Sequence, residues 1–510
     1  MTSPANAAPM STFVLKREPD LRAKFDAFQY QTEAVEAIRD REYGAVFHEQ
    51  GLGKTKIALD IIRYWLEKRL VGTALLVLKK GLVANWRREI KSHTYLSPLV
   101  LGADRGQNFY VFNSPARLIL THYEAVRAEK KRLQLFLKTR TVGVILDEAT
   151  KIKNPDSELT KAFFTLAPLF ARRVIMTGTP IANRPYDIWA QVYFLDQGHS
   201  LGEDFEAFKR DLDLDKVLGK SEGARKRFEK AMLDVNRRIF HFSVRENKQS
   251  KYIQLPEKVI RSIETDWEPR QLDLYEQIRD DLKVVVIKEG IPSEDRADDL
   301  LKRLLRLVQI ASNPALVDES YTGEPGKYPY LLDIVEEVMR KGEKCIIWTT
   351  FTENADWLAR QLKMHGTRTI HGKLSMEARN AAVSAFLDDA DIRVLVATPG
   401  AAKEGLTLTV ANHVIFYDRS FSLDDYLQAQ DRIHRVSQTR TCYVYNLVMR
   451  DSVDEWIDVL LHAKRVAAQL VQGDITHEAY QREMTYSFGD VLRGILKMKE
   501  EPLVAEGARE

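Results

Sequence analysis

GAVFHEQGLGKTKIALDIIRYWL, at residues 44–66 of a 510-residue chain, carries the clearest structural signal in the sequence. A short apolar run, AVF, leads into a loop that contains Gly51 and Gly53. From Ile57 to Leu66 the apolar residues recur at the spacing of one helix face. A strand, a glycine loop and a helix in this order predict a phosphate-binding loop, because backbone N–H groups and a helix N-terminus both attract phosphate oxygens.

Lys54 and Thr55 begin the predicted helix and supply the polar groups that such a loop needs. In this pattern Lys54 reaches the β- and γ-phosphates of a nucleotide, and Thr55 holds Mg²⁺. The strict motif, GxxxxGK followed by Ser or Thr, requires glycine where this chain has His48. A chance glycine turn is the alternative, but the strand–loop–helix order favours a nucleotide loop with Gly51 and Gly53 against the phosphates.

A second apolar run, VGVILDEATKIKN at residues 142–154, contains the acid pair Asp147 and Glu148. In parallel sheets ligands gather at the carboxyl ends of the strands, so this pair is expected beside the phosphate loop. Asp147 would hold the Mg²⁺ shell, and Glu148 would orient or deprotonate the attacking water. A solvated acidic turn is the alternative, and the glycine loop argues against it.

Two further segments carry polar side chains that a nucleotide site can use. Residues 174–189 form an apolar strand that ends in Thr177 and Thr179, whose hydroxyls can relay the state of the γ-phosphate. Upstream, Gln31 has an amide that can pair with both a donor and an acceptor on adenine. A plain strand-to-turn junction and a surface glutamine are the alternatives, and both would be preferred without the glycine loop.

The second half of the chain alternates buried strands and helices but has no glycine–lysine loop. Residues 353–363 and 375–388 have helical spacing. The sequence therefore predicts an α/β fold with a second parallel sheet, whose role must involve the nucleotide of the first. The apolar runs that predict its strands are KCIIWTTF (344–351), RVLVATP (393–399), HVIFYD (413–418) and CYVYNLV (442–448).

SLDDYLQAQDRIHR predicts a helix that begins at a capping box formed by Ser422 and Asp425. Gln428, Arg432 and Arg435 lie on this predicted helix four and three residues apart, so they share one face. Two guanidinium groups on one face suit a triphosphate, and we expect Arg432 and Arg435 to act as arginine fingers on the nucleotide of the first sheet. Ordinary surface arginines are the alternative.

Ten segments follow one another in a recognisable order: YQTEAV (30–35), EQGLGKT (49–55), NWRREI (85–90), LTHYEAV (120–126), LDEATKIKN (146–154), MTGTPIANRPYDIW (176–189), KCIIWTTFTENADWL (344–358), HGKLSMEAR (371–379), GLTLTVANHVIFYDRSFS (405–422) and QAQDRIHRVSQ (428–438). This set resembles the superfamily-two helicases, and within them the Swi/Snf family of DNA translocases. The resemblance implies two RecA-like lobes with parallel sheets, a P-loop NTPase site, helical protrusions between the lobes, and the use of ATP and Mg²⁺. It also implies nucleotide contacts from Gln31, Gly405 and Gln428.

The resemblance also predicts how the chain is divided. The expected parts are a flexible arm at 1–20, an ATP-binding lobe at 21–245 with a helical insertion near 200–240, a second lobe at 246–460 with a helical insertion near 280–325, and a brace helix and tail at 451–510.

In this family both lobes contact DNA through its backbone phosphates, so the implied binding is indifferent to sequence. Basic segments at 127–140 and 223–238 could extend that track, although solvated helix faces are the more ordinary interpretation. The residues expected to contact DNA are Lys79, Lys80, His122, Thr349, Thr350, Thr398 and Lys403.

Five positions depart from the pattern usual in the family. Thr150 replaces a histidine in the acid motif, and Ser437 replaces a glycine near the arginines. Lys79 and Gly81 replace a proline and a serine, and His48 is unusual in the phosphate loop. None of these changes removes a group that hydrolysis needs, but Thr150 bears on how the acid motif is coupled to lobe closure.

Composition limits the function classes only weakly. The formal net charge of +3 is too small to argue for nucleic acid by itself, and the two cysteines lack a CxxC neighbour, so a zinc site is not expected. No apolar run approaches the ~18 residues of a membrane span. We therefore expect an intracellular protein. The resemblance favours a monomer in the cytoplasm of a bacterial or phage-infected cell, or in the nucleus if the source is eukaryotic.

The motifs predict ATP hydrolysis that drives movement along double-stranded DNA, with remodelling of branched DNA or displacement of bound protein. A separate targeting protein would be a natural partner. Two alternatives stay open at this point. A strand-separating DNA or RNA helicase needs a separating hairpin, which we do not recognise in the sequence. An ATP-gated DNA clamp would bind DNA in a nucleotide-dependent way without moving along it.

Overall fold

Two parallel β-sheets, each covered by helices, organise the chain. Successive strands of the first sheet, and most of those of the second, are joined by segments that contain helices, which is the usual connection between parallel strands. The computed structural model describes residues 19–181, 183–212, 222–250, 253, 255–289, 297–401, 407–484, 494 and 496.

The first lobe is built on a sheet of seven described strands, all paired in parallel. The strands are β1 (Tyr43–Val46), β2 (Thr73–Leu78), β3 (Leu99–Val100), β4 (Leu118–His122), β5 (Val142–Asp147), β6 (Arg172–Met176) and β7 (Ser243–Val244), in the order β3-β4-β2-β5-β6-β1-β7. Its helices are α1 (Gln29–Ile38), α2 (Lys54–Glu67), α3 (Val83–His93), α4 (Arg105–Asn113), α5 (Tyr123–Ala128), α6 (Lys130–Thr139), α7 (Glu158–Leu166), α8 (Trp189–Asp196), α9 (Phe205–Leu212) and α10 (Glu222–Phe240).

The second lobe is built on a sheet of six described strands, again all parallel. The strands are β8 (Lys258–Thr265), β9 (Cys345–Trp348), β10 (Thr367–Ile370), β11 (Val394–Ala397), β12 (His413–Phe416) and β13 (Cys442–Met449), in the order β10-β11-β9-β12-β13-β8. The helices are α11 (Pro269–Glu289), α12 (Ala297–Ser312), α13 (Lys327–Arg340), α14 (Thr352–Gln361), α15 (Met376–Asp388), α16 (Leu423–Gln430), α17 (Val453–Gln472) and α18 (His477–Glu483).

The central strands are buried on both faces, which explains their continuous apolar runs. Every residue of β2, β5, β9 and β12 is buried. Helices on the two faces of a parallel sheet remove both faces from water, so alternation of polar and apolar residues is not required. Asp147 is the last residue of β5, so it lies where the apolar core ends, at the edge of the sheet where ligands gather.

Helix α17 packs against both lobes. Trp456 and Ile457, near its start, belong to an apolar cluster with α11 and α12. Val466 and Val471, in its second half, belong to the core of the first lobe together with residues of α10. One helix of 20 residues thus buries its two halves in different cores.

A buried carboxylate connects the elements of the second lobe behind its central strands. Asp418 accepts hydrogen bonds from Ser312 Oγ at 2.8 Å, Thr349 Oγ1 at 2.5 Å and the backbone N of Thr350 at 2.6 Å. Asn354 Nδ2 completes the group at 3.4 Å. The network therefore fixes the end of α12, the end of β9 and the start of α14 to the segment after β12.

The α/β fold with two parallel sheets is confirmed, and so are the four strands predicted in the second half. Two strands of the second sheet, β8 and β10, were missed. Burial along β8 is partial and mostly one-sided because it is an edge strand, so it lacks the apolar run that marks the central strands. The expected domain limits stay a prediction; the first sheet ends at Val244 and the second begins at Lys258. Residues 1–18 of the expected arm, and most of 485–510, lie outside the described residues.

The prediction of one helix from Ser422 to Arg435 is wrong in its second half. Ser422 Oγ does accept from the backbone N of Asp425, but α16 ends at Gln430. Arg432 and Arg435 lie on the turn that follows. The side-chain amide of Gln438 holds this turn by donating to the backbone carbonyls of Ala411 and Ile433. The carbonyl of Arg432 also accepts from the backbone N of Leu408.

None of the helices within the described ranges combines the length and the apolarity needed to cross a membrane.

We expect Asp418→Ala to destabilise the second lobe. The substitution leaves several buried donors unpaired, each costing about 1–3 kcal/mol, so the midpoint of urea unfolding should fall clearly. Asp333→Ala, which removes an exposed aspartate from α13 of the same lobe, is the matched control and should leave the midpoint unchanged. Equal midpoints for the two variants would contradict the structural role of Asp418.

Candidate nucleotide site

The phosphate loop, residues 47–53, connects β1 to α2 and bends where glycine is required. Gly51 and Gly53 have φ angles of 85° and 69°, in the left-handed region that glycine adopts without steric cost. A Cβ atom on Gly53 would lie 2.3 Å from Nε2 of Gln31, which is buried beneath the loop. The sequence thus specifies a tight loop that enters the N-terminus of α2, the geometry that binds phosphate.

The Lys54 ammonium lies across this loop and donates to two of its carbonyl oxygens. The distances are 2.9 Å to His48 O and 3.3 Å to Glu49 O. Burial lowers the pKa of Lys54, and the nearby carboxylates of Glu148 and Asp147 oppose that shift. Neutral carbonyl groups therefore hold the ammonium in place, and its charge remains available to phosphate.

Asp147 and Glu148 are adjacent in sequence but have different surroundings. Asp147 is buried, and its Oδ2 accepts a hydrogen bond of 2.9 Å from Nε1 of Trp86. Burial and the neighbouring Glu148 raise the pKa of Asp147 to about 6, and Lys54 opposes them. Glu148 has a φ angle of 55°, and its buried Oε2 has no hydrogen-bond partner in the described part of the chain. A buried carboxylate oxygen that accepts no hydrogen bond indicates that Glu148 serves a ligand.

The residues gathered here fit a magnesium–nucleotide complex. Thr55 is the second residue of α2, and its hydroxyl and the Asp147 carboxylate are oxygen donors of the kind that Mg²⁺ prefers. The glycine loop supplies backbone N–H groups for phosphate, and Lys54 supplies positive charge. Thr55 and Asp147 are therefore the residues that would hold the metal ion.

Gln31 lies under the phosphate loop and is bonded at both ends of its amide. Its Oε1 accepts from the backbone N of Phe28 at 3.0 Å, and its Nε2 donates to Leu52 O at 3.3 Å. The hydroxyl of Tyr30 donates to the same carbonyl at 3.2 Å. Gln31 thus supports the loop from below, and its contact with adenine stays a prediction.

Arg435, on the turn after α16, lies against the phosphate loop of the first lobe, and Arg432 on the same turn lies close enough to Glu148 for their charges to interact. A Cβ atom on Gly51 would be only 3.3 Å from Cγ of Arg435. Burial, and after it the charge of Arg435, lower the pKa of Arg432 to about 10, whereas Glu148 opposes the shift. The structure thus brings both predicted arginines to the acid pair and the loop across the boundary between the lobes.

A second contact between the lobes joins Thr179 to the start of α16. Thr179 Oγ1 donates to Oδ1 of Asp424 at 2.6 Å, and the same oxygen accepts from Nε2 of Gln428 at 2.7 Å. Beside it, Oδ1 of Asn183 accepts from the backbone N of Leu423 at 3.1 Å. Gln428 therefore binds a carboxylate at the lobe boundary, and its contact with the nucleotide stays a prediction.

Lys248, which the sequence did not single out, connects the phosphate loop to the turn at residues 431–438. We call this turn, which carries Arg432 and Arg435, the arginine turn. Its Nζ lies 2.5 Å from Oδ1 of Asp431 and donates to His434 O at 3.0 Å. Its backbone N donates to Oε2 of Glu49 at 2.9 Å. The side chains of Lys248 and Asp431 are only 7% and 6% exposed. The sequence around Lys248 does not indicate this role, because its partners Glu49 and Asp431 are 199 and 183 residues away.

The expected DNA contacts of the first lobe have different surroundings. Lys79 follows β2, and its Nζ lies 3.9 Å from Oε2 of Glu148. Lys80 is exposed. His122 is largely buried and caps α5 by accepting from the backbone N of Ala125. Their contacts with DNA stay a prediction.

The expected DNA contacts of the second lobe are mostly enclosed. Thr349 is fully buried and its hydroxyl is bonded to Asp418. Thr350 is half-buried, and Thr398 is buried at the end of β11. Lys403, and Gly405 from the expected nucleotide contacts, lie outside the described residues. A DNA contact from Thr349 would first require the Asp418 network to open.

The fold and the site define a helicase-like ATPase with two lobes. A profile of the SNF2-related domain matches residues 30–316, and one of the helicase conserved C-terminal domain matches residues 326–437. The chain belongs to the SNF2-related family, which confirms the resemblance seen in its motifs.

Similar proteins come from bacteria, archaea and eukaryotes. The putative ATP-dependent helicase/translocase YwqA of Bacillus subtilis is 27% identical over 86% of this chain and 47% of its own length. The SWI/SNF chromatin-remodeling complex subunit snf22 of Schizosaccharomyces pombe is 26% identical over 81% of this chain and 26% of its own. A solved structure, the Sulfolobus solfataricus SWI2/SNF2 ATPase core in complex with dsDNA, is 24% identical over 95% of this chain and 99% of its own, with a TM-score of 0.41. The chain thus spans less than half the length of these two curated relatives.

We expect Lys248→Met to slow ATP turnover without weakening nucleotide binding. Loss of the ammonium removes the direct ion-pair partner of the buried Asp431, so the arginine turn should move away from the phosphate loop. The kcat should fall roughly tenfold or more, because an arginine finger contributes far more than that, while the Kd for ADP should be unchanged. Steady-state kinetics and ADP titration of the purified chain measure both quantities.

Lys327→Met is the matched control for Lys248→Met. It breaks an equally buried lysine–carboxylate pair, with Asp454 at 2.5 Å, that lies within the second lobe. That variant should lose stability but keep its kcat at a temperature where it is folded. Wild-type turnover in Lys248→Met would refute the role given to Lys248.

Proposed function

We propose that this chain is an ATP-driven translocase on double-stranded DNA, which remodels branched DNA or displaces bound protein. The observation that supports the proposal best is the position of two arginines of the second lobe at the nucleotide site of the first: Arg435 lies on the phosphate loop, and Arg432 interacts with the charge of Glu148. Hydrolysis at such a site depends on lobe closure, so each catalytic cycle is tied to a relative movement of the lobes.

The residues divide the work of hydrolysis between the two lobes. Lys54 and the loop N–H groups bind the phosphates, and Glu148 orients the attacking water and accepts its proton at the carboxylate. Arg432 and Arg435 neutralise the charge that develops on the transferred phosphoryl group. Thr55 and Asp147 would hold Mg²⁺, which would supply neutralisation of phosphate charge.

Family membership supports DNA as the polymer on which the motor acts. Relatives of this chain are named as a helicase/translocase and as a chromatin-remodeling subunit. The bacterial relative favours the cytoplasm of a bacterial or phage-infected cell. We also propose a separate targeting protein as a partner, because one relative is named as a subunit of a chromatin-remodeling complex.

We expect double-stranded or branched DNA to stimulate ATP hydrolysis strongly, and single-stranded DNA and RNA to do so weakly. Duplex recognition through backbone phosphates gives this order, and the stimulation should fall steeply with salt. Steady-state ATPase rates with each nucleic acid, followed by displacement of a third strand from a triplex, measure stimulation and movement.

Active-site variants serve as controls for that experiment. Lys54→Ala and Arg432→Ala should each reduce stimulated kcat by about 10²-fold or more, since each removes charge stabilisation from the transition state. Glu148→Gln should bind ATP and hydrolyse it slowly. Stimulation by single strands or RNA alone would support a strand-separating helicase instead. Nucleotide-dependent DNA binding without triplex displacement would support a clamp.

A further inference from the structure

Lys79 and Glu148 lie side by side because their strands are neighbours. Strands β2 and β5 pair in parallel with Val77 opposite Leu146, so the residues two positions later, Lys79 and Glu148, leave the sheet at the same level. The Lys79 ammonium is 3.9 Å from Oε2 of Glu148, and the two side chains are only 19% and 17% exposed. The register of the sheet therefore builds an ion pair at the edge of the nucleotide site.

Lys79 is the cation that remains for Glu148 when a nucleotide occupies the site. The charge of Glu148 also acts on Lys54, Arg432 and Arg435, but all three are placed to bind the phosphates of a nucleotide. Once they do so, Lys79 is the remaining cation among these four. The buried Oε2 atom has no hydrogen-bond partner among the described residues, so no other fixed group holds it toward water or substrate.

Lys79 also occupies the position from which this lobe is expected to contact DNA. It is followed by Lys80, which is exposed, at the carboxyl end of a strand. A DNA phosphate and the Glu148 carboxylate would both attract the same ammonium, and one lysine cannot keep full contact with both.

We propose that Lys79 is a positioning residue that restrains Glu148 until a DNA phosphate draws the lysine away. Without DNA, the ion pair holds the carboxylate toward β2 and away from the attacking water. With DNA bound, Glu148 is released to orient that water, and hydrolysis accelerates. The inference rests on the proposed function for the identity of the releasing anion, but not for the restraint itself.

The test compares ATP hydrolysis by wild type and Lys79→Met, with and without a blunt duplex oligonucleotide. Loss of an ion pair of this kind should raise the DNA-free kcat about fivefold, with the KM for ATP unchanged. The fold stimulation by duplex should fall by the same factor. Lys79→Arg should restore the low DNA-free rate, and Lys79→Gln provides a second neutral variant.

Two controls make the result specific. Lys161→Met removes a lysine from an exposed pair with Glu158 on the same lobe and should leave every rate unchanged. The gain in DNA-free kcat should vanish when Glu148→Gln is added to Lys79→Met, because the restraint acts through Glu148.

The outcomes separate this inference from the proposed function. A DNA-free kcat of Lys79→Met at or below the wild-type value overturns the restraint, even if duplex stimulates the wild type. A raised DNA-free kcat supports the restraint whatever the nucleic acid does. If duplex does not stimulate the wild type, the proposed function fails and DNA is overturned as the releasing anion.

Discussion

The contact between the arginine turn and the phosphate loop is the constraint on which the rest of the site depends. Arg435 packs against Gly51, and a Cβ atom at position 51 would crowd the arginine side chain. The contact also concentrates positive charge in a buried space, which is stable only if each charge is compensated. Glu148 and Asp431 provide that compensation from opposite sides of the lobe boundary, and Lys248 fixes the second of them.

The second lobe is constructed to hold this turn firmly. Gln438 closes the turn through the backbone carbonyls of Ala411 and Ile433, at 2.9 and 3.2 Å. Asp418 ties the neighbouring strand ends to two helices through a buried network. These bonds fix the turn to the rest of the second lobe, so a rigid-body movement of that lobe would carry the arginines with it.

The parts of this architecture that a sequence reveals are those with local signals. Three features can be recognised within a few residues: the glycine loop, the acid pair after an apolar strand, and the continuous apolar runs of the central strands. The two sheets and the residues of the nucleotide site were predicted from these features. The edge strand β8 was missed because partial burial gives it no such run. The end of α16 at Gln430 was missed because it is imposed by Gln438, eight residues further on, through contacts to a separate loop.

Long-range pairs were beyond prediction for a different reason. Lys248 has no composition or spacing that distinguishes it from other lysines in a polar linker, and its importance arises from partners that folding brings to it. The same holds for Thr349: the resemblance assigns its hydroxyl to DNA, the structure shows it buried and bonded to Asp418, and the contact with DNA stays a prediction. Hydroxyl and lysine side chains have many uses, and only the three-dimensional neighbours decide among them.

Asn183 gives the boundary between the lobes a further property. Its side chain accepts from the backbone N of Leu423, the first residue of α16, so one lobe caps a helix that belongs to the other. Helix caps contribute about 0.5–2 kcal/mol, and this contribution exists only while the lobes are together. Separation of the lobes would therefore loosen the first turn of α16 as well as break the contacts across the boundary, so the local order of that helix becomes a measure of how far the motor has closed.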